Sequence, residues 1–141
     1  MRNFEIHVDI DAPPERVWNV MIDVERWHEW TRSITSIKKL KNGPLAVGDR
    51  ASVRQPKLRP AIWTVTQIIP GRKFIWETRN PGVQVLGHHI VEPRDVGSRV
   101  TLIVQFEGAL GGLVGAILKK LNEQYLQFEA EGLKKRAEAK T

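Results

Sequence analysis

The sequence predicts an α+β protein: a seven-stranded, curved antiparallel sheet, two short helices after its first strand, and a long C-terminal helix packed across it. Three observations carry this reading. The chain opens on strict polar/apolar alternation, its middle from Ile34 to Glu107 is a series of β-branched and aromatic runs cut by turn residues, and from Gly111 the hydrophobic period changes to three and four. A chain of 141 residues buries roughly two thirds of the surface its unfolded form exposes. One domain over residues 1–141 is therefore expected.

The elements follow in order. Phe4, Ile6, Val8 and Ile10 share one parity and Asn3, Glu5, His7 and Asp9 the other, the pattern of a half-buried strand. Asp11-Ala12-Pro13-Pro14-Glu15 supplies a capping acid, a proline suited to a first helical turn and an early carboxylate. Val17, Trp18, Val20, Met21 and Val24 give that helix its apolar stripe. Glu25 to Trp30 then reads as a second short helix or tight turn presenting two indoles.

Six strands are expected at about 33–41, 49–55, 60–69, 72–80, 83–93 and 98–107, separated by turn signals such as Asn42-Gly43-Pro44, Pro70-Gly71, Asn80-Pro81-Gly82 and Asp95-Val96-Gly97. Connections this short force antiparallel pairing, because a parallel crossover needs a dozen or more residues. Parity puts Trp63 and Val65, then Phe74, Trp76 and Thr78, then Val100, Leu102, Val104 and Phe106 on the inner face. In strand 83–93 it gives Val85, Gly87, His89 and Val91 as the inner set, and a slip of one residue would bring His88 inward instead.

From Gly111, the residues Leu113, Val114, Ile117, Leu118, Leu121, Tyr125, Phe128, Gly132 and Leu133 recur at helical spacing, predicting one amphipathic helix over 111–139. Its roughly 42 Å matches the length of a whole strand. Such a stripe also suits a helix lying on a membrane surface, but an open sheet needs a cover, and core packing is favoured. One helix cannot cover seven curved strands. Some apolar surface is left facing a void that bulky side chains line.

Composition narrows the chemistry. The chain has no Cys, which excludes disulfides, thiolate zinc sites and cysteine nucleophiles, and five Trp, half of its ten aromatics. No stretch is apolar enough for an export signal or a membrane span, so a soluble, cytoplasmic protein without stable membrane insertion is expected. His88 and His89 point to opposite faces of one strand and cannot share an ion, so no metal is expected, nor any other cofactor. The glycine-rich run Gly108–Gly115 lacks the Gly-Lys-Ser/Thr ending of a phosphate loop and reads as a hinge, with Leu110, Leu113 and Val114 gating a cavity mouth. Between Arg32 and Arg59 eight cations stand against Asp49 alone, within a net charge of +6. That surplus suits steering of an anionic ligand or acidic lipid headgroup, or equally a solvated sheet edge. Nucleic acid is not an expected partner, because no recognised module is present and the aromatics are committed inward.

Four stretches carry a family resemblance: Ile10-Asp11-Ala12-Pro13-Pro14-Glu15-Arg16-Val17-Trp18, then Trp27-His28-Glu29-Trp30, then Trp63 to Glu77 through Pro70-Gly71-Arg72, and Gly97-Ser98-Arg99-Val100-Thr101-Leu102. With the order of elements, they resemble the helix-grip fold of the START/Bet v 1-like (SRPBCC) superfamily, in its polyketide cyclase/dehydrase and lipid transport branch. The resemblance implies a cavity between sheet and long helix that binds a small hydrophobic or amphipathic molecule, lipid-like or polyketide-like. Its expected wall is Trp30, Trp63, Trp76, His89, Phe106, Val114, Ile117 and Leu121, with Trp18 and Trp27 as structural support. His89 is the candidate acid/base of an alternative cyclase or aromatase, with Gln55, Thr78, Trp63 or Trp76 as hydrogen-bond donors. A lipid shuttle or partner-binding module using the basic stretch is a third reading. No catalytic constellation is visible, so whether the protein is an enzyme stays open, as does its oligomeric state.

Overall fold

Alternation in the first ten residues gives β1 (Arg2–Ile10), and the prolines that follow end the strand and start α1 (Pro14–Ile22), with Pro14 in the first turn. A 3-10 helix, Val24–Glu29, completes the excursion. The chain then returns as β2 (Ser36–Lys39), β3 (Arg50–Arg54), β4 (Ala61–Ile69), β5 (Lys73–Asn80), β6 (Val83–Pro93) and β7 (Ser98–Glu107). These ranges come from a computed structural model, which describes residues 2–139. All seven strands form one antiparallel sheet in the order β1-β7-β6-β5-β4-β3-β2, a meander closed by the first strand pairing with the last.

Parity holds across the sheet. Phe74, Trp76, Thr78, His89, Val91, Val100, Leu102 and Phe106 are all buried on the concave face. The register between β4 and β5 shifts between Val65 and Gln67, so the inner set of β4 runs Trp63, Val65 and then Ile68, with Thr66 and Gln67 both exposed.

The single helix expected over 111–139 is two. α2 (Gly111–Ile117) and α3 (Lys119–Glu138) meet at Leu118, whose backbone (φ −92°, ψ 11°) leaves the helical range. Hydrogen bonds still pass through the bend, from Leu118 N to Val114 O and from Asn122 N to Leu118 O, and the Asn122 amide adds a second donor to that Leu118 carbonyl. Glycine sets how closely α2 approaches the sheet. Gly111 and Gly115 are buried, and a Cβ at Gly111 would stand 3.0 Å from the Phe106 backbone and one at Gly115 3.1 Å from the Arg2 side chain. α2 thus lies closer to the sheet than a helix with side chains on that face can. α3 then packs along β1 and α1 through Leu126, Ala130, Leu133 and Ala137.

Three ion pairs hold the ends together. Arg99 Nε donates to Asp9 Oδ1 at 2.9 Å across β1 and β7, Arg136 to Glu29 at 2.6 Å, and Lys134 to Glu138 at 2.7 Å, where Glu138 also accepts the Asp11 N–H at 2.7 Å. These donors hold the carboxyls of Asp9, Glu29 and Glu138 below their ordinary range, the hydrogen bonds from Arg99, Arg136 and Lys134 being the largest cause in each. A carboxyl depressed in the folded state adds stability above the ordinary range and loses it as pH falls through the lowered value. Two of the three pairs hold α3. Acidification below about pH 4 should therefore reduce hydrogen-exchange protection first at the C-terminal turns of α3, and more weakly in high salt. Uniform loss of protection along the chain would contradict this.

Candidate functional site

Between the concave face of the sheet and α2 and α3 lies a partly open cavity of about 620 Å³, within the range of small-molecule sites. Five of the eight expected wall residues line it: Trp63 from β4, Trp76 from β5, His89 from β6, Phe106 from β7 and Val114 from α2. Three do not. Trp30 lies beyond the 3-10 helix, where it walls a separate surface hollow of about 430 Å³ with Arg16, Arg26 and Arg136. Ile117 is 71% exposed on the outer side of α2, and Leu121 is half-buried away from the cavity. The straight-helix expectation aligned Ile117 and Leu121 with Val114, whereas the glycine face of α2 is the one that meets the sheet.

Trp27, expected as support only, is part of the wall. It is 2% exposed, its indole N–H donates to Met21 O at 2.9 Å, and its ring stands 5.5 Å from that of Trp76 and 5.2 Å from that of His89. Trp63 continues the aromatic wall, 5.7 Å from Trp76. Gly87, paired with Trp76 across β5 and β6, makes room for this: a Cβ there would meet the Trp76 ring at 3.1 Å and His89 at 3.4 Å.

His89 is inward and 5% exposed, and His88 faces the other way, its Nε2 3.1 Å from Gln105 Oε1. The His89 ring stacks on Phe74 at 4.1 Å between centroids. Its Nδ1 lies 3.3 Å from Phe74 O. A carbonyl only accepts, so Nδ1 carries a proton, and Nε2 is the nitrogen turned into the cavity. That Nε2 is 3.5 Å from Glu129 Oε1, and the Glu129 side chain is only 15% exposed. A carboxylate and an imidazole nitrogen thus face one another inside a largely apolar cavity. Sequence reading missed Glu129. Its signal was present, since Glu129 stands four residues after Tyr125 and four before Leu133, a charge on the buried stripe of α3.

Other polar groups divide into engaged and free. Tyr125 donates its hydroxyl to Pro56 O, and burial pushes its phenol above the ordinary value. The Gln55 amide donates to Ser33 O at 3.3 Å. Among the described residues the indole N–H groups of Trp63 and Trp76 and the Thr78 hydroxyl have no hydrogen-bond partner, yet no fully buried side-chain polar atom is left unsatisfied, so these three open onto the cavity. At its exposed end stand Arg59, Pro60, Ile62, Arg79 and Asn80. Of the eight cations of the basic stretch, Arg59 alone reaches the lining. Among the described residues no three His, Asp or Glu side chains gather as a metal site would require.

An antiparallel sheet gripping a bent C-terminal helix around such a cavity is the architecture of a known family, and its sequence model matches residues 1–138. The chain belongs to the polyketide cyclase/dehydrase and lipid transport family. Solved structures agree on the fold. TTHA0849 from Thermus thermophilus superposes with a TM-score of 0.78 at 18% identity, covering 96% of this chain and 97% of that one. The Zhui aromatase/cyclase from Streptomyces sp. R1128 gives 0.77 at 18% identity, covering 97% and 93%. Protein CV1439 from Chromobacterium violaceum gives 0.73 at 16% identity, covering 99% and 100%. Among curated proteins no sequence matches. The family therefore fixes the helix-grip fold and leaves the chemistry to the residues of the site.

Proposed function

We propose that this protein binds a small amphipathic molecule whose apolar body lies against Trp27, Trp63 and Trp76 and whose polar end meets His89 and Glu129. The observation that carries the reading is the polar pair His89 Nε2 and Glu129 Oε1, 3.5 Å apart in an aromatic cavity of about 620 Å³. A hydroxyl or enol of a ligand hydrogen-bonds to that pair, and apolar burial at roughly 25 cal/mol per Å² supplies most of the affinity. Arg59 and Arg79 at the open end favour a ligand with an anionic or strongly accepting tail.

A second reading, a cyclase or dehydrase, draws on the same pair. With Nδ1 tied to Phe74 O, Nε2 is the nitrogen free to take a proton from an acidic carbon, and Glu129 stabilises the imidazolium that results. The unpaired donors of Trp63, Trp76 and Thr78 are available to a developing enolate.

Intrinsic tryptophan fluorescence, titrated with a panel of fatty acids and hydroxylated polycyclic aromatics, tests the first reading. Saturable change is expected, and Trp63→Ala should weaken affinity about tenfold or more with little loss of stability, because Trp63 borders empty space. No saturable response across the panel would remove the proposal. The readings separate in His89→Gln and Glu129→Gln: a binder loses affinity, whereas an enzyme keeps binding and loses turnover.

A further inference from the structure

We propose that the outer stripe of α2, with the cations around it, is a docking surface for an anionic lipid bilayer. Leu110, Leu113 and Ile117 are 47%, 61% and 71% exposed. Their spacing of three and four places them on one side of the helix, opposite Gly111 and Gly115, which are buried, while Val114 and Leu118 line the cavity. From Gly108 to Leu118 the chain has no charged residue. An uncharged helix with one face in a cavity and its large apolar side chains in water lacks a partner for that outer face.

The surroundings say which partner fits. Lys120 continues the stripe three residues beyond Ile117, and Lys119 stands beside it, both exposed. Across the mouth Arg59 and Arg79 flank Ile62, itself 44% exposed. Lys119 and Arg79 are paired with acids, Glu123 at 3.9 Å and Glu77 at 3.4 Å, and Glu107 accepts from the Gln105 amide at 3.2 Å, so among the described residues Lys120 and Arg59 are the cations here without an acidic partner. Apolar side chains ringed by Lys and Arg match the layered chemistry of a bilayer surface, acyl chains beneath anionic headgroups. The contact is peripheral, and no helix among the described residues is long and apolar enough to cross a membrane. The surface stands on these residues alone. Its use, holding the mouth against the lipid from which an amphipathic ligand enters, rests on the binding function proposed above.

Vesicle flotation of the full chain tests this, using phosphatidylcholine alone and phosphatidylcholine with phosphatidylserine in equal amounts. Binding to the mixed vesicles is expected, weakened by salt and lowered about tenfold or more in Leu113→Ser, Ile117→Ser. Lys119→Glu, Lys120→Glu should weaken it as well. Neither pair belongs to the cavity wall, so the fluorescence titration in lipid-free solution should be unchanged in both variants. Vesicle binding absent in the wild type, or retained in full by Leu113→Ser, Ile117→Ser, overturns the proposal. So does concentration-dependent dimerisation in sedimentation that the same variant abolishes while vesicles capture nothing. Vesicle binding without any response to the ligand panel would instead sink the cavity function and leave the surface standing.

Discussion

Gly132→Ala should cost about 3 kcal/mol or more, because α3 passes directly against backbone at this position. A Cβ built at Gly132 stands 1.8 Å from the carbonyl oxygen of Trp30 and 2.9 Å from its carbonyl carbon. The obstacle is backbone, so no rotamer change relieves it. Either α3 retreats from the end of the 3-10 helix, opening the contacts of Leu133 and Ala137, or the peptide after Trp30 turns. Glycine in a helix interior costs up to about 1 kcal/mol relative to alanine. Its presence here is thus the cost of close approach between α3 and the 3-10 helix, which Arg136 and Glu29 reinforce at 2.6 Å. Gly112 is the control. Nothing lies within 4 Å of its added Cβ, so Gly112→Ala should be neutral or stabilising by up to about 1 kcal/mol. Urea denaturation midpoints check both, and equal midpoints for the two variants would refute the close-approach argument.

Residue identity made the sheet legible because strand period and turn chemistry are local. Phe74, Trp76 and Thr78, or Val100, Leu102 and Phe106, alternate with polar neighbours, and the turns are too short for any connection but an antiparallel one. Two parts of the site depended on information that is not local. α2 is apolar on every side, so hydrophobic period cannot say which face meets the sheet, and the decision goes to Gly111 and Gly115, which pack closest because they are smallest. Expecting Ile117 in the wall applied the rule for amphipathic helices to a segment that is not amphipathic. Glu129 was overlooked for the opposite reason. The apolar residues of α3 define its stripe, but a carboxylate on that stripe is the more informative residue, because burial of a charge asks for a partner and His89 is that partner.

The two indoles of the 3-10 helix show the same limit and lead to the second large effect. Side chains three apart nearly eclipse in a 3-10 helix, so Trp27 and Trp30 leave the chain on similar sides and touch, 5.5 Å between rings. Depth separates them. Trp30 caps the helix with φ −129° and turns toward α3, while Trp27 drops onto Phe74, Trp76 and His89. Trp27→Ala should therefore destabilise by about 3–5 kcal/mol, removing the largest fully buried side chain and leaving Met21 O without its donor. Trp27→Phe keeps much of the ring packing and loses the donated hydrogen bond, for a cost of about 1–2 kcal/mol. Because the same ring bounds the cavity, the phenylalanine variant also enlarges the site beside His89, and bulkier members of the ligand panel should gain affinity relative to small ones. Denaturation midpoints and fluorescence titration, the latter following the four remaining indoles, read the two effects separately. Loss of stability with an unchanged size preference would confine Trp27 to the core and leave Trp63 and Trp76 as the indoles that meet a ligand.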